Sequence, residues 1–530
     1  MARPAALAPL RHADFRLLWI ANLVSNTGLF VQNTAAGWLM TGLDPSPMMV
    51  SLVQAASMLP VFLLALPAGA LADILDRRLF LIAAQLWMTF ASLLLCLLSW
   101  GDMLGPWGLV ALTFALGAGL AMSFPAWAAT TPELVPREDL IGAIALNGIG
   151  FNITRAIGPA IGGLVIAWAG VGAAFLLNAL CVLVLGAALA RWKRQAEPRR
   201  GPPEPFASAV RAGARYVAAS PAMHAAILRA VVFFLFSSAV WGLLPLLVRE
   251  ELGLGPKAFG LLLGCMGVGA VAAGFLLPRA RARLDRSGMV YASSLLGALA
   301  MGMMGALHHW SAAALAMMLY GVAWISAAST LQAAAQIAAP AWVRARAIGI
   351  YQMCFFGALA GGAAASGWLA ARIGVPGALM VFATAGALAA FAVRRARIDG
   401  EPPRAAAPEV PLARPDPAAE ALRGLLDEGE NRVLEVVRYQ VAPERRAAFL
   451  ATMAEARRVR LRGGAAVWRL YEDVAHPERW VELWVVDSWA EHLREQGRLT
   501  EEDRAILAQA AGFHMAEGPP EAARYVNVPV

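Results

Sequence analysis

Charge is what this sequence has least of. Only 15% of its 530 residues are Asp, Glu, Lys or Arg, against about 25% in a typical soluble domain. With 59% hydrophobic residues and a mean hydropathy of +0.59, the chain is too apolar to be soluble throughout. Cysteine is also scarce. Cys96, Cys181, Cys265 and Cys354 each stand alone in an apolar run. No pair has C-x-x-C spacing, so neither a disulfide framework nor a metal site is expected. No cofactor motif stands out. No basic stripe is interleaved with aromatics, which argues against nucleic acid as a partner. The net charge of +8 instead suits loops that face anionic lipid. No A-x-A cleavage site follows the first apolar run, so it reads as a retained span and not a removable signal peptide.

What the chain has in abundance is long apolar runs. Twelve are long enough to cross a bilayer as helices, at roughly 15–40, 48–72, 79–100, 105–130, 141–168, 171–191, 224–248, 257–278, 289–308, 311–337, 343–372 and 375–394. Lys and Arg fall mainly on one side of them. Arg77, Arg78, Arg137, Arg191, Lys193, Arg194, Arg279, Arg281, Arg344 and Arg346 share that side, while the other holds little beyond Arg249, Lys257 and Arg372. The asymmetry places both termini in the cytoplasm, in a multi-pass protein of the inner (plasma) membrane. A basic, Pro-rich loop at 192–222 divides the helices six and six, and residues 206–219 within it can form a helix lying on the inner membrane surface. The two halves also look related. A shift of 204 residues pairs Gly117 with Gly321, Pro136 with Pro340, Gly158 with Gly362, Gly163 with Gly367 and Gly170 with Gly374. The expected layout is a six-helix bundle over 1–191, the loop 192–222, a second bundle over 223–394, a linker over 395–430 and a separate domain over 431–530.

The stretch Gly69-Ala70-Leu71-Ala72-Asp73-Ile74-Leu75-Asp76-Arg77-Arg78 lies between the second and third runs. One reading is an ordinary positive-inside loop. The other is a gating latch, in which Gly69 admits a close neighbour, Asp73 faces a helix N-terminus or a basic side chain, and Arg77 and Arg78 hold the turn. The stretch resembles the loop motif G-x-L-A-D-x-x-x-R-R/K of the major facilitator superfamily, matched by Gly69, Leu71, Ala72, Asp73, Arg77 and Arg78, with Asp76 where a Gly is usual. The second-half copy is degraded, with Pro278 at the place of Asp73.

Within the fifth run, "GFNITRAIGPAIGG" places Gly158 and Gly162 on one face for tight packing and Pro159 at a bend. Gly158, Pro159, Gly162 and Gly163 resemble the fifth-helix motif of facilitator-superfamily antiporters. Arg155 is the more pointed residue. A charge that deep must face the protein interior or water and find a partner, either an anionic substrate group or a structural one such as Glu133. Glu133 itself reads as an interfacial acid or as a proton carrier. In the first run Asn22, Asn26 and Asn33 share one face, a polar stripe that suits a cavity wall; Gln32 and Trp38 lie nearby. Trp241, Trp324, Gln332, Gln336, Tyr351 and Gln352 are candidates for the opposing wall. Acids are almost absent from the spans beyond Asp73 and Glu133, so proton coupling, which the superfamily resemblance implies, lacks an obvious carrier.

After the linker the periodicity changes. Segments 432–441, 466–474, 479–489 and 523–530 alternate like strands, and 443–462 and 490–510 read as helices. The order β-α-β-β-α-β is ferredoxin-like. It resembles the small α+β domains of the antibiotic-biosynthesis-monooxygenase type, which often pair as dimers. His476, Trp489, His492 and Arg494 are the only candidates for a site there, and His492 near a helix start reads more readily as a surface or packing histidine.

The whole of 15–394 resembles the transmembrane secretion effector branch of the superfamily, which includes siderophore exporters. The expected fold is an all-α polytopic membrane protein of two six-helix bundles with a small cytoplasmic ferredoxin-like α+β domain. The expected function is export of a small lipophilic molecule by alternating access, with lipid, substrate and protons as partners and dimerisation through the tail. The alternative is a membrane-anchored enzyme or sensor whose tail carries the activity.

Overall fold

A computed structural model of the chain describes residues 7–136, 138–193, 206–340, 343–398, 432–496, 499 and 501–527. The side chains of Gly69, Asp73 and Arg494 lie outside the described residues, as do Arg137, Arg194 and nearly all of the 395–430 linker. Among the described residues eleven α-helices precede the tail: α1 Ala13–Leu43, α2 Pro47–Ile74, α3 Arg77–Trp100, α4 Pro106–Leu134, α5 Leu140–Arg191, α6 Phe206–Ala219, α7 Pro221–Leu246, α8 Pro256–Arg281, α9 Arg286–Ala306, α10 Trp310–Ala338 and α11 Arg344–Ala392. Proline stands in the first turn of α2, α4 and α8, where its missing N–H costs nothing. Asp76 and Asp285 cap α3 and α9 by accepting from Leu79 N and Gly288 N at 3.0 and 2.7 Å. Asp76 thus replaces the usual motif glycine with a helix cap.

Among the described residues nine helical stretches are long and apolar enough to cross a bilayer. Two of them, Gly142–Arg191 and Arg346–Arg395, are 50 residues long. Each is interrupted by one glycine in a left-handed conformation, Gly170 at φ 80° and Gly374 at φ 78°, which other residues adopt only under strain. Each is therefore two spans end to end. With α1, whose Asn and Gln lower its hydropathy, there are the twelve spans that the sequence predicts.

The chain forms two compact units. The first comprises residues 1–201, 227–332 and 351–399, and it contains most of both membrane halves. The 204-residue repeat is visible in its packing. A Cβ on Gly117 would meet Ser57 O at 2.7 Å on α2, and one on Gly321 would run into Met266 O on α8. A Cβ on Gly158 would meet Phe30 Cβ at 2.6 Å on α1, and one on Gly362 would run into Leu235 O on α7. A Cβ on Gly163 would stand 2.9 Å from Pro256 O at the start of α8, and one on Gly367 would stand 2.7 Å from Pro47 O at the start of α2. In each pair the glycine lets the matching helices approach backbone to backbone.

The second unit comprises residues 202–226, 333–350 and 400–530. Its sheet has strands β1 Val433–Gln440, β2 Val467–Glu472, β3 Arg479–Val486 and β4 Glu521–Val526 in the antiparallel order β2-β3-β1-β4. That is the order expected of a ferredoxin-like chain. Helix α12, Arg446–Gly463, packs Phe449, Met453, Ala456 and Val459 into a core with Val437, Tyr439, Trp480 and Trp484. The single helix expected at 490–510 is two, α13 Trp489–Gln496 and α14 Glu501–Ala511. In the same unit Arg215 of α6 pairs with Asp487 at 2.9 Å, and the Tyr216 hydroxyl donates to Ala338 O.

Candidate substrate site

Arg155 stands about 22 Å along α5 at 1.5 Å per residue. Its guanidinium carbon lies 5.1 Å from the centroid of the Phe151 ring and 5.7 Å from that of Trp324. Its Nε is buried without a hydrogen-bond partner. The expected pairing with Glu133 is not made; Glu133 is held elsewhere. Trp324 lies on α10, in the other half of the molecule, and it is almost wholly buried with Nε1 unpartnered. It anchors an aromatic cluster, with Phe234 at 5.2 Å, Trp241 at 5.6 Å and Tyr320 at 5.9 Å. Phe234 meets Phe355 edge-on at 4.3 Å, and Phe356 faces Phe124 of the first half at 6.1 Å. Phe30 extends the same wall from α1, 5.6 Å from Phe151. The arrangement is one cation among aromatic faces contributed by both halves. Desolvated cation–π contacts are worth about 2 kcal/mol, and they do not replace the counter-charge that a buried guanidinium calls for.

The other residues singled out by sequence differ in burial. Asn22, Asn26 and Asn33 are half-buried on α1. Gln32 is 1% exposed, with neither end of its amide partnered. Gln332 accepts from Gln352 Nε2 at 3.3 Å, Tyr351 is fully buried, and Gln336 is exposed.

At the end of the bundle where α2 gives way to α3, Arg77 NH1 donates to Glu133 Oε1 at 2.7 Å. Arg78 caps the last turn of α5 through Leu189 O at 2.9 Å and Ala190 O at 2.6 Å, where carbonyls lack helical partners. At the opposite end the two halves are joined directly. Gly163 and Gly260 approach so closely that a Cβ on either would lie 2.7 Å from the other's Cα. Arg249 donates to Thr41 Oγ1 at 3.0 Å and lies 5.7 Å from the Trp38 ring centroid, and Trp38 stacks on Phe259 at 5.9 Å. Ser51 Oγ donates to Gly242 O at 3.4 Å.

Two cations were missed from sequence. Arg249 counted only as a loop charge. Arg229, 3% exposed, donates to Ala396 O at 2.7 Å, Ser287 O at 2.8 Å and Arg394 O at 2.8 Å. The signal that exposed Arg155, a lone charge in an apolar run, was there for Arg229 too. Replacing it removes three charge-assisted hydrogen bonds to carbonyls near helix ends. Arg229→Gln is expected to destabilise the fold by about 3 kcal/mol and to lower the melting temperature in detergent; an unchanged melt would show the clamp to be dispensable.

In the tail, His476 lies near Glu478 at 3.6 Å and is exposed. His492 is not a surface residue: it is 1% exposed, its Nδ1 lies 2.5 Å from Glu435 Oε1, and its ring lies 4.8 Å from that of Trp489. The same unit has a cleft of about 870 Å³, lined by Arg446, Arg457, Trp468, Arg469 and Trp480 and by His224.

The family model described as "Transmembrane secretion effector" matches residues 4–529. The enterobactin exporter EntS of Escherichia coli O6:K15:H31 and that of Shigella boydii serotype 18 are each 27% identical over 325 residues, covering 60% of this chain and 76% of theirs. Among solved structures, an inward-facing bacterial homologue of the human lysosomal transporter Spinster superposes with a TM-score of 0.58 at 12% identity, covering 72% of this chain and 98% of its own. The nucleoside transporter NupG superposes with a TM-score of 0.60 at 12% identity, covering 72% and 99%. These likenesses establish the fold and a multi-pass membrane transporter.

Proposed function

The chain belongs to the transmembrane secretion effector family, and on that premise we propose that it exports a small lipophilic molecule bearing an anionic group. The observation that carries this reading is Arg155, a cation with an unpartnered Nε among aromatic faces from both halves. An anion beside the guanidinium supplies the missing counter-charge, and flat apolar groups stack on Trp324 and Phe151. Siderophore-like and drug-like acids both fit that chemistry, and the EntS relatives favour the first.

The mechanism is alternating access, with the halves rocking about this site. The contacts at Gly163–Gly260, Thr41–Arg249 and Ser51–Gly242 would close one mouth and must part for release. With both termini in the cytoplasm, as the Arg and Lys distribution supports, this mouth is the outer one. Glu133 would carry the coupling proton: protonation would remove its charge from the ion pair with Arg77 and loosen α3 from α4. The tail would act as a regulatory module, tied through Asp487 to α6, the segment that links the halves in sequence.

The test is accumulation of a probe panel in a pump-deficient host expressing the full chain. Anionic aromatic probes should accumulate less than in the empty host, and an uncoupler should restore them. Selective export of cations, with anions untouched, would overturn the reading.

A further inference from the structure

Three potential ligands in the tail converge although no sequence spacing links Glu435 to the other two. Glu435 lies on β1, and His492 and Glu495 lie one turn apart on α13. One donor atom from each falls within 4.8 Å of the other two. Their side chains are 13%, 2% and 5% exposed. Glu495 Oε2 accepts from Trp484 Nε1 at 3.1 Å, while its Oε1 has no hydrogen-bond partner. The far nitrogen of His492, Nε2, is likewise buried and unpartnered.

Nearby cations do not settle this charge. Arg460 Nε lies 3.3 Å from Glu482 Oε1, its closer carboxylate, and its NH1 is 3.7 Å from Glu495. Glu482 is already satisfied by the Tyr439 hydroxyl at 2.8 Å and Trp468 Nε1 at 2.9 Å. Arg524 is opposite Glu435 in the β1–β4 register, but its guanidinium lies over the Trp489 ring at 5.9 Å and its Nε has no partner. Two carboxylates therefore face each other in a buried site, an arrangement that needs a cation or a proton between them.

We propose that Glu435, His492 and Glu495 form a binding site for a first-row divalent metal ion, Zn²⁺, Mn²⁺ or Fe²⁺. One imidazole with two carboxylates is a donor set these ions accept. Three protein ligands leave a coordination position for water. The ion takes the place of the proton between His492 Nδ1 and Glu435 Oε1, and their separation opens from 2.5 Å to about 3.4 Å, set by two bonds near 2.1 Å at a tetrahedral angle. The Trp484 indole holds Glu495 in orientation from behind. The ion would cross-link β1 to α13 and make the order of the tail depend on metal supply. This site shares no residue with the Arg155 cluster and does not rest on the export reading.

The test uses the full-length protein in detergent, stripped with chelator, loaded separately with Zn²⁺, Mn²⁺ and anaerobic Fe²⁺, desalted, and assayed by elemental mass spectrometry. At least one ion should remain at about one equivalent per chain, the count expected of a three-ligand site. His492→Ala and Glu495→Gln should lose it. Trp484→Phe keeps all three ligands and should bind roughly tenfold more weakly, which reads the site without removing a ligand. Glu478→Gln, at the exposed carboxylate near His476, should retain the ion. X-ray absorption of the loaded protein should show nitrogen and oxygen neighbours and no sulfur. Failure to retain any of the three ions, or equal retention by all variants, overturns the proposal and leaves a shared proton as the occupant.

Discussion

Arg155→Gln is expected to cut export of an anionic substrate by roughly tenfold to a hundredfold, since a charge-assisted hydrogen bond is worth about 1.5–3 kcal/mol. The loss should appear in initial efflux rates, with the protein still present at wild-type level in the membrane. Gln keeps a hydrogen-bond donor but no charge, so the fall isolates the electrostatic term. Arg155→Lys restores the charge without the planar fork and should recover part of the rate. The aromatic walls give an independent arm. Trp324→Leu removes the ring 5.7 Å from Arg155 and should weaken flat substrates more than aliphatic ones of equal charge. If Arg155→Gln exports the same acid at the wild-type rate, the guanidinium is structural and the substrate assignment falls.

The sequence carried the frame of this site further than its contacts. The spans, the six-and-six division and the helix at 206–219 followed from hydropathy and the breaks at Gly and Pro. Gly170 and Gly374 could be paired by the 204-residue shift alone, and both proved to be the left-handed breaks that turn two 50-residue helices into four spans. Arg155 was visible because a charge in an apolar run costs too much to be accidental. Its neighbour Trp324 was not assignable to it, since the two belong to different halves and meet only once both have folded. The same limit hid Arg77–Glu133, Arg249–Thr41 and the three clamped carbonyls of Arg229. In the tail, strand alternation located all four strands to within a few residues. It could not bring Glu435 to His492, because that pairing depends on how α13 packs on β1, and metal-ligand spacing rules see only local sequence.

Gly163→Val should abolish export for a reason opposite to that of Arg155. It disturbs the swing of the halves and leaves the substrate chemistry untouched. A Cβ alone would sit 2.7 Å from Gly260 Cα and 2.9 Å from Pro256 O, where carbon contacts are favourable only near 3.5–4.0 Å. The neighbour is backbone and cannot turn aside, so α5 and α8 must separate. Overpacking of this kind costs about 1–3 kcal/mol, and all of it falls on the state in which this mouth is shut. The equilibrium between the two states should shift by roughly tenfold to a hundredfold, and a carrier that cannot occupy both cannot turn over. Gly148→Val on the same helix is the control, because a Cβ there meets nothing within 4 Å. The shift itself can be read in a chain whose four native cysteines are replaced and which carries Ser51→Cys, at a position fully buried where the halves meet. An impermeant maleimide should label the introduced thiol slowly in that background and much faster when Gly163→Val is added. Loss of export with labelling unchanged would mean that Gly163 does not work through closure of this mouth, and the Gly163–Gly260 contact would then be packing within a single rigid frame.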